Sequence, residues 1–119
     1  MARQSRPLKT SFWDDDKVCR LTRDARLTLA GLITKHADDD GRFLATPQAV
    51  GGALFPHDDL PPARIRKWLS EIETQEMAVI YRVNGGTYGC LVNWHQHQKP
   101  PHPTPSTLPA PPEDGLFAS

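Results

Sequence analysis

Three observations in this 119-residue chain predict an α+β fold with helices first and a β-hairpin last. Apolar residues recur at three- and four-residue spacing in two stretches before residue 75, the period of a helix with one buried face. Two runs rich in β-branched and aromatic residues, MAVIYRV and TYGCLV, flank Asn84-Gly85-Gly86, residues that accept positive φ and so suit a hairpin turn. Seven of the twelve prolines crowd between Pro100 and Pro112, which marks an extended C-terminal tail.

Taken in order, Asp14, Asp15 and Asp16 suit the start of a short helix, where carboxylates favour the positive end of the dipole. Thr22 stands as an N-cap before RDARLTLAGLITKHA, in which Leu21, Ala25, Leu29, Leu32 and Ile33 form a stripe that predicts a helix from about 23 to 37. Gly31 costs that helix about 1 kcal/mol relative to alanine, which implies that a neighbour approaches its backbone closely. Asp38-Asp39-Asp40-Gly41 ends the helix, and RFLA is long enough only for a short strand. Thr46-Pro47 opens a second helix through QAVGGAL, and the prolines of LFPHDDLPP enforce a loop. Pro61 or Pro62 begins a third helix, PPARIRKWLSEIETQ, with Ile65, Trp68, Leu69 and Ile72 on its apolar face and Arg64, Arg66, Lys67 and Glu71 turned away. Helix, short strand, helix, loop, helix and hairpin is the order of a winged helix-turn-helix, with three helices and a β-hairpin wing. Residues 1–10 read as a flexible basic arm, 11–95 as the winged-helix domain, and 96–119 as a proline-rich, extended tail.

Composition narrows the function. Fourteen basic and fourteen acidic residues cancel, which argues against a strongly basic coat protein and shifts attention to where the charges lie. No apolar run is long enough to span a bilayer, and no apolar segment follows the basic residues of MARQSRPLKT, so the expectation is a cytoplasmic protein with no membrane partner. Cys19 and Cys90 form no paired C-x-x-C spacing and read as ordinary, partly buried thiols. NWHQHQKPPHPTPS holds three histidines, but His95 and His97 alternate faces and the chain then runs into proline, a poor cage for an ion. The Asp38–Asp40 run lacks the alternating ligands and closing glutamate of a calcium loop. With no nucleophile elbow, phosphate loop or acid/base pair, no metal, cofactor or catalytic residue is expected, and a binding module is favoured over an enzyme.

In a helix-turn-helix the second helix of the motif enters the major groove. Arg64 and Lys67, three apart, share one face of that helix, and Arg66 flanks them. Arginine can bond guanine at two points, and either residue type can neutralise phosphate. Arg82 on the wing is a candidate backbone contact. Trp94 is placed as the last core residue; the HQHQK segment after it either bonds the tail to the domain or meets phosphate through Lys99, Gln96 and Gln98.

SFWDDDKVCRLTRDARLTLAGLITKHADDDGRF, LFPHDD, YRVNGGTYGCLVNWHQHQKP and the trailing Ser106 to Pro109 together resemble the N-terminal winged-helix module of phage and prophage replication-initiation, or replisome-organiser-like, proteins of actinobacterial type. The resemblance spans about residues 10–109, with ADDDGR and NWHQHQKP its most specific blocks. It implies double-stranded DNA as partner, contacts from Arg64, Arg66, Lys67 and Arg82, and a role in replication initiation or transcription control; winged helices act as monomers or dimers, and no coiled-coil heptads here choose between monomer and homodimer. The alternative reading is a protein-interaction module that binds or inhibits a host or phage protein, presenting acid from Asp14–Asp16 or Asp38–Asp40.

Overall fold

A computed structural model describes residues 5–112; Arg3 of the basic arm and the tail beyond Pro112 lie outside the described residues. A 3-10 turn, Thr10–Asp14, leads into α1 (Asp16–Cys19), whose first turn is capped by Asp15: its Oδ1 accepts from the amides of Lys17 at 2.8 Å and Val18 at 3.2 Å. Helix α2 (Arg23–Gly31) runs on into a widened π turn, Leu32–His36, closed by the Ala37 amide on the Leu32 carbonyl at 2.9 Å. Strand β1 (Arg42–Leu44), α3 (Pro47–Leu54), α4 (Pro62–Thr74), β2 (Ala78–Val83), β3 (Gly86–Leu91) and α5 (Trp94–His97) complete the order. Among the described residues the result is mixed α+β, with five helices, the short α1 and α5 being additional to the three of the expected motif, and a three-stranded antiparallel sheet ordered β1-β3-β2, consistent with a winged helix.

The local signals act largely as their chemistry dictates. Thr46 Oγ1 accepts from the Ala49 amide at 3.2 Å with Pro47 inside the first turn, and Ile65, Trp68, Leu69 and Ile72 of α4 are all buried. Asn84 (φ 50°) and Gly85 (φ 83°) carry consecutive positive φ, which matches the twist of the strands they join. A Cβ built on Gly31 would lie 2.8 Å from Leu54 of α3, the close approach its presence implies. Thr22 precedes α2 as expected but does not cap it with its side chain; its amide and hydroxyl both donate to the Glu71 carboxylate at 2.9 Å, tying α2 to α4.

Pairing of Phe43 and Ile80 with Gly89, and of Ala78 with Leu91, puts these residues on the sheet face that packs against the helices. The ring of Phe43 occupies the space a side chain at Gly89 would need. Arg42, Leu44, Val79, Tyr81, Tyr88 and Cys90 alternate onto the opposite, outer face.

Candidate nucleic-acid interface

Pro62 starts α4 without the amide it lacks, so Arg64, Arg66 and Lys67 fall in the first two turns. All three are exposed. At about 100° per residue, Arg64 and Lys67 lie close together and Arg66 on the other flank of the outward arc. Arg64 and Lys67 border a shallow groove shared with Thr22, Asp24 and Glu71, so two carboxylates stand near them. Glu71 is occupied by Thr22. Among the described residues the ion pair is Arg6–Asp39, His95 lies 3.7 Å from Asp40, and neither contact involves these three cations.

Beyond Thr74 the chain reverses at Glu76 (φ 59°), and β2 returns tied to the last turn of α4 by the Ile80 amide on Glu73 Oε2 at 2.9 Å. Arg82, two residues on, is exposed and pairs with Thr87 one step from the hairpin turn. Lys99 is exposed as well but lies elsewhere: it follows α5, past the end of the sheet where Ala78 pairs with Leu91. Four residue steps from Arg82 to Ala78 span about 13 Å of strand, and the chain leaves toward α5 and Lys99 from the Ala78–Leu91 end rather than from the turn. The five cations thus divide into a set on α4 and the wing, and Lys99 apart.

A second feature is formed by the two blocks that stood out in the sequence. Asp39 is 5% exposed; its Oδ1 pairs with Arg6 at 3.0 Å and its Oδ2 accepts from the Thr104 amide at 2.9 Å. Its carbonyl accepts from Trp94 Nε1 at 2.8 Å. The Thr104 amide first, then the Arg6 hydrogen bond, hold the Asp39 carboxyl below its ordinary value against the opposing effect of burial. Arg6 also donates to the Ala37 carbonyl and lies 5.3 Å from the centre of the Trp94 ring. Gly41 (φ 80°) passes so close to that ring that a Cβ would sit 2.7 Å from it. Ser106 donates its amide to Asp40 at 2.9 Å and its hydroxyl to Asp38, while Arg42 reaches the Leu108 carbonyl at 2.9 Å. Tyr81 donates to the Pro109 carbonyl at 2.7 Å, and burial pushes its phenol up to about 12. Burial likewise pushes the Cys90 thiol up.

This arrangement corrects several expectations. Arg6, assigned to a flexible arm, is pinned; the tail from Thr104 to Pro109 is bonded along the domain by Asp38–Asp40, Arg42 and Tyr81 rather than by the HQHQK segment. Gln98 is buried and holds the Pro7 carbonyl at 2.8 Å, so its amide serves the N-terminal arm rather than the tail or a phosphate. Asp38–Asp40 bond within the chain, which removes them as freely presented acid for a partner. Trp94 is a core residue, Cys90 is half-buried, and Cys19 is exposed rather than buried. The joining of arm and tail to the domain through Arg6, Arg42, Tyr81 and Ser106 was not foreseen; the acid run at 38–40 together with the polar Thr-Pro-Ser segment was the one signal that could have linked them.

Among the described residues no group of three or more His, Cys, Asp or Glu is placed to hold a metal ion. No helix among them is long and apolar enough to cross a membrane. Comparison of the chain with protein-family models, curated proteins and solved structures finds no match.

Proposed function

We propose that this chain is a winged helix-turn-helix protein of phage or prophage type that binds double-stranded DNA in replication initiation or transcription control, without a catalytic step. The observation that carries the proposal is the outward arc of α4, where Arg64, Arg66 and Lys67 are exposed and free of ion pairs among the described residues. The order α3, α4, hairpin and the β1-β3-β2 sheet support it, because that order sets a helix beside a wing and allows both to meet one duplex. In this reading α4 enters the major groove, Arg64 and Arg66 supply base-edge or phosphate contacts, Lys67 acts as a phosphate cation, and Arg82 meets the backbone from the wing. Lys99 is left out of this set, since it is carried by neither α4 nor the hairpin. The engagement of Asp38–Asp40 inside the chain removes one of the two acid runs of the rival reading, while Asp14–Asp16 stay exposed.

The test is fluorescence anisotropy on labelled duplexes at low salt. Arg64→Ala with Lys67→Ala should weaken binding by about tenfold or more. Arg82→Ala should weaken it less, and Lys99→Ala should leave it unchanged. Equal affinity for the double variant and the parent chain would overturn the assignment.

A further inference from the structure

The outer face of the sheet is handled unusually. Tyr81 points away from the helices yet is only 4% exposed, and its hydroxyl meets the Pro109 carbonyl: the tail covers the face that a hairpin wing otherwise leaves open. Thr104-Pro105-Ser106-Thr107-Leu108-Pro109 is a segment without regular internal pairing, so its backbone polar groups need partners from elsewhere. The domain supplies them in register. Asp39 accepts from the Thr104 amide at 2.9 Å and Asp40 from the Ser106 amide at 2.9 Å, while Asp38 takes the Ser106 hydroxyl. Arg42 then donates to the Leu108 carbonyl at 2.9 Å and Tyr81 to that of Pro109 at 2.7 Å.

Two further facts separate this site from a tail that merely lies down. First, its polar groups are positioned by bonds that do not involve the tail: Asp38 Oδ1 accepts from the amides of Asp40 at 2.9 Å and Arg42 at 3.0 Å, Asp39 pairs with Arg6, and the Asp39 carbonyl is held by Trp94. A site fixed in advance spends less of its binding free energy on ordering. Second, among the described residues Lys99 to Pro103 make no hydrogen bond to the domain, so this stretch acts as a proline-stiffened tether and the recognition lies wholly in 104–109.

We infer that the outer sheet face, with the Asp38–Asp40 loop at its edge, is a binding site for an extended backbone with a serine at its centre, filled in cis by residues 104–109 and open to the same segment of a second copy of this chain. The second copy is the partner that carries every group this site reads. The inference is independent of DNA binding, because the cations of α4 take no part in it.

The experiment uses the full chain with Ser106→Gly and Leu108→Gly, which loosens the tethered strand and leaves the site intact. A fluorescent peptide of the natural sequence 103–112 is titrated into it and into the parent chain. A short tether competes at an effective concentration of about 1 mM, so for a peptide Kd of about 0.1 mM the variant should bind about tenfold more tightly than the parent, and for a Kd of about 1 mM about twofold. Adding Tyr81→Phe, which removes only the hydroxyl, should weaken the peptide by about fivefold. Absence of binding at about 1 mM peptide, equal binding by parent and variant, or insensitivity to Tyr81→Phe overturns the inference. Circular dichroism verifies the fold; should the double variant unfold, Ser106→Ala alone takes its place, with the same outcomes deciding.

Discussion

Replacing Asp39 with alanine removes two interactions at once, the ion pair to Arg6 at 3.0 Å and the bond from the Thr104 amide at 2.9 Å. The two side chains of the pair are 16% and 5% exposed, so solvent screens it little. Charge-assisted bonds contribute about 1.5–3 kcal/mol each, and breaking a buried pair by deleting one partner costs about 3–5 kcal/mol. The lower end applies here, because Arg6 keeps its bond to the Ala37 carbonyl and its place over Trp94. A loss of about 3 kcal/mol follows, which for a domain near this size lowers Tm by about 10–20 °C. Thermal and urea unfolding followed by circular dichroism measure it. Asp39→Asn keeps an acceptor for Thr104 and should lose about half as much, and a double-mutant cycle with Arg6→Met should return a coupling of about 1–3 kcal/mol. A Tm change under about 3 °C for Asp39→Ala would refute the reasoning that this carboxylate ties both terminal segments to the domain.

Other outcomes follow from the same geometry. Gly89→Ala drives a methyl group into the Phe43 ring and should cost about 1–3 kcal/mol, read as a lower urea midpoint at unchanged slope. Gly41→Ala should do at least as much harm, since it combines a φ of 80° with contact against the Trp94 ring; an unchanged midpoint for either variant contradicts the packing described. Because Asp39 has its carboxyl held below 3.8 in the folded chain, the unfolded chain takes up the proton first as pH falls. Its contribution is therefore full above 3.8 and disappears as pH drops through the folded value, and Asp39→Asn should flatten that acid limb of the stability profile. Tyr81 works at the other end: with its phenol raised from 10.0 to about 12, its share of stability is full below 10.0 and is lost as pH climbs toward 12, which phenolate absorbance during alkaline unfolding would follow.

Residues whose role is set by near neighbours were legible in the sequence. The stripe Ile65, Trp68, Leu69, Ile72 gave the buried face of α4, Thr46-Pro47 the start of α3, and Asn84-Gly85 the turn, because each depends on spacing or backbone preference within one element. Polar pairing across the chain leaves no such period. Arg6 meets Asp39 across 33 residues and Ser106 meets Asp38 across 68, so the acid run read as a helix end and the arm and tail as free. The π turn at Leu32–His36 escaped for a different reason: one extra residue per turn shifts the stripe less than the ordinary irregularity of apolar spacing. The cations of the candidate interface were visible as residue types on a helix face, and the strand register added what spacing lacked, that Arg82 stands one step from the hairpin turn opposite Thr87.

The central claim, that α4 and the wing meet a DNA duplex through Arg64, Arg66, Lys67 and Arg82, is tested most directly by the salt dependence of duplex binding. Each phosphate neutralised contributes about −0.9 to the slope of log K against log salt, so four contacts predict a slope of about −3 to −4. The Arg64→Ala, Lys67→Ala chain should show a slope shallower by about 2. Binding that is absent at low ionic strength, or whose slope is the same with and without those two cations, would contradict the account.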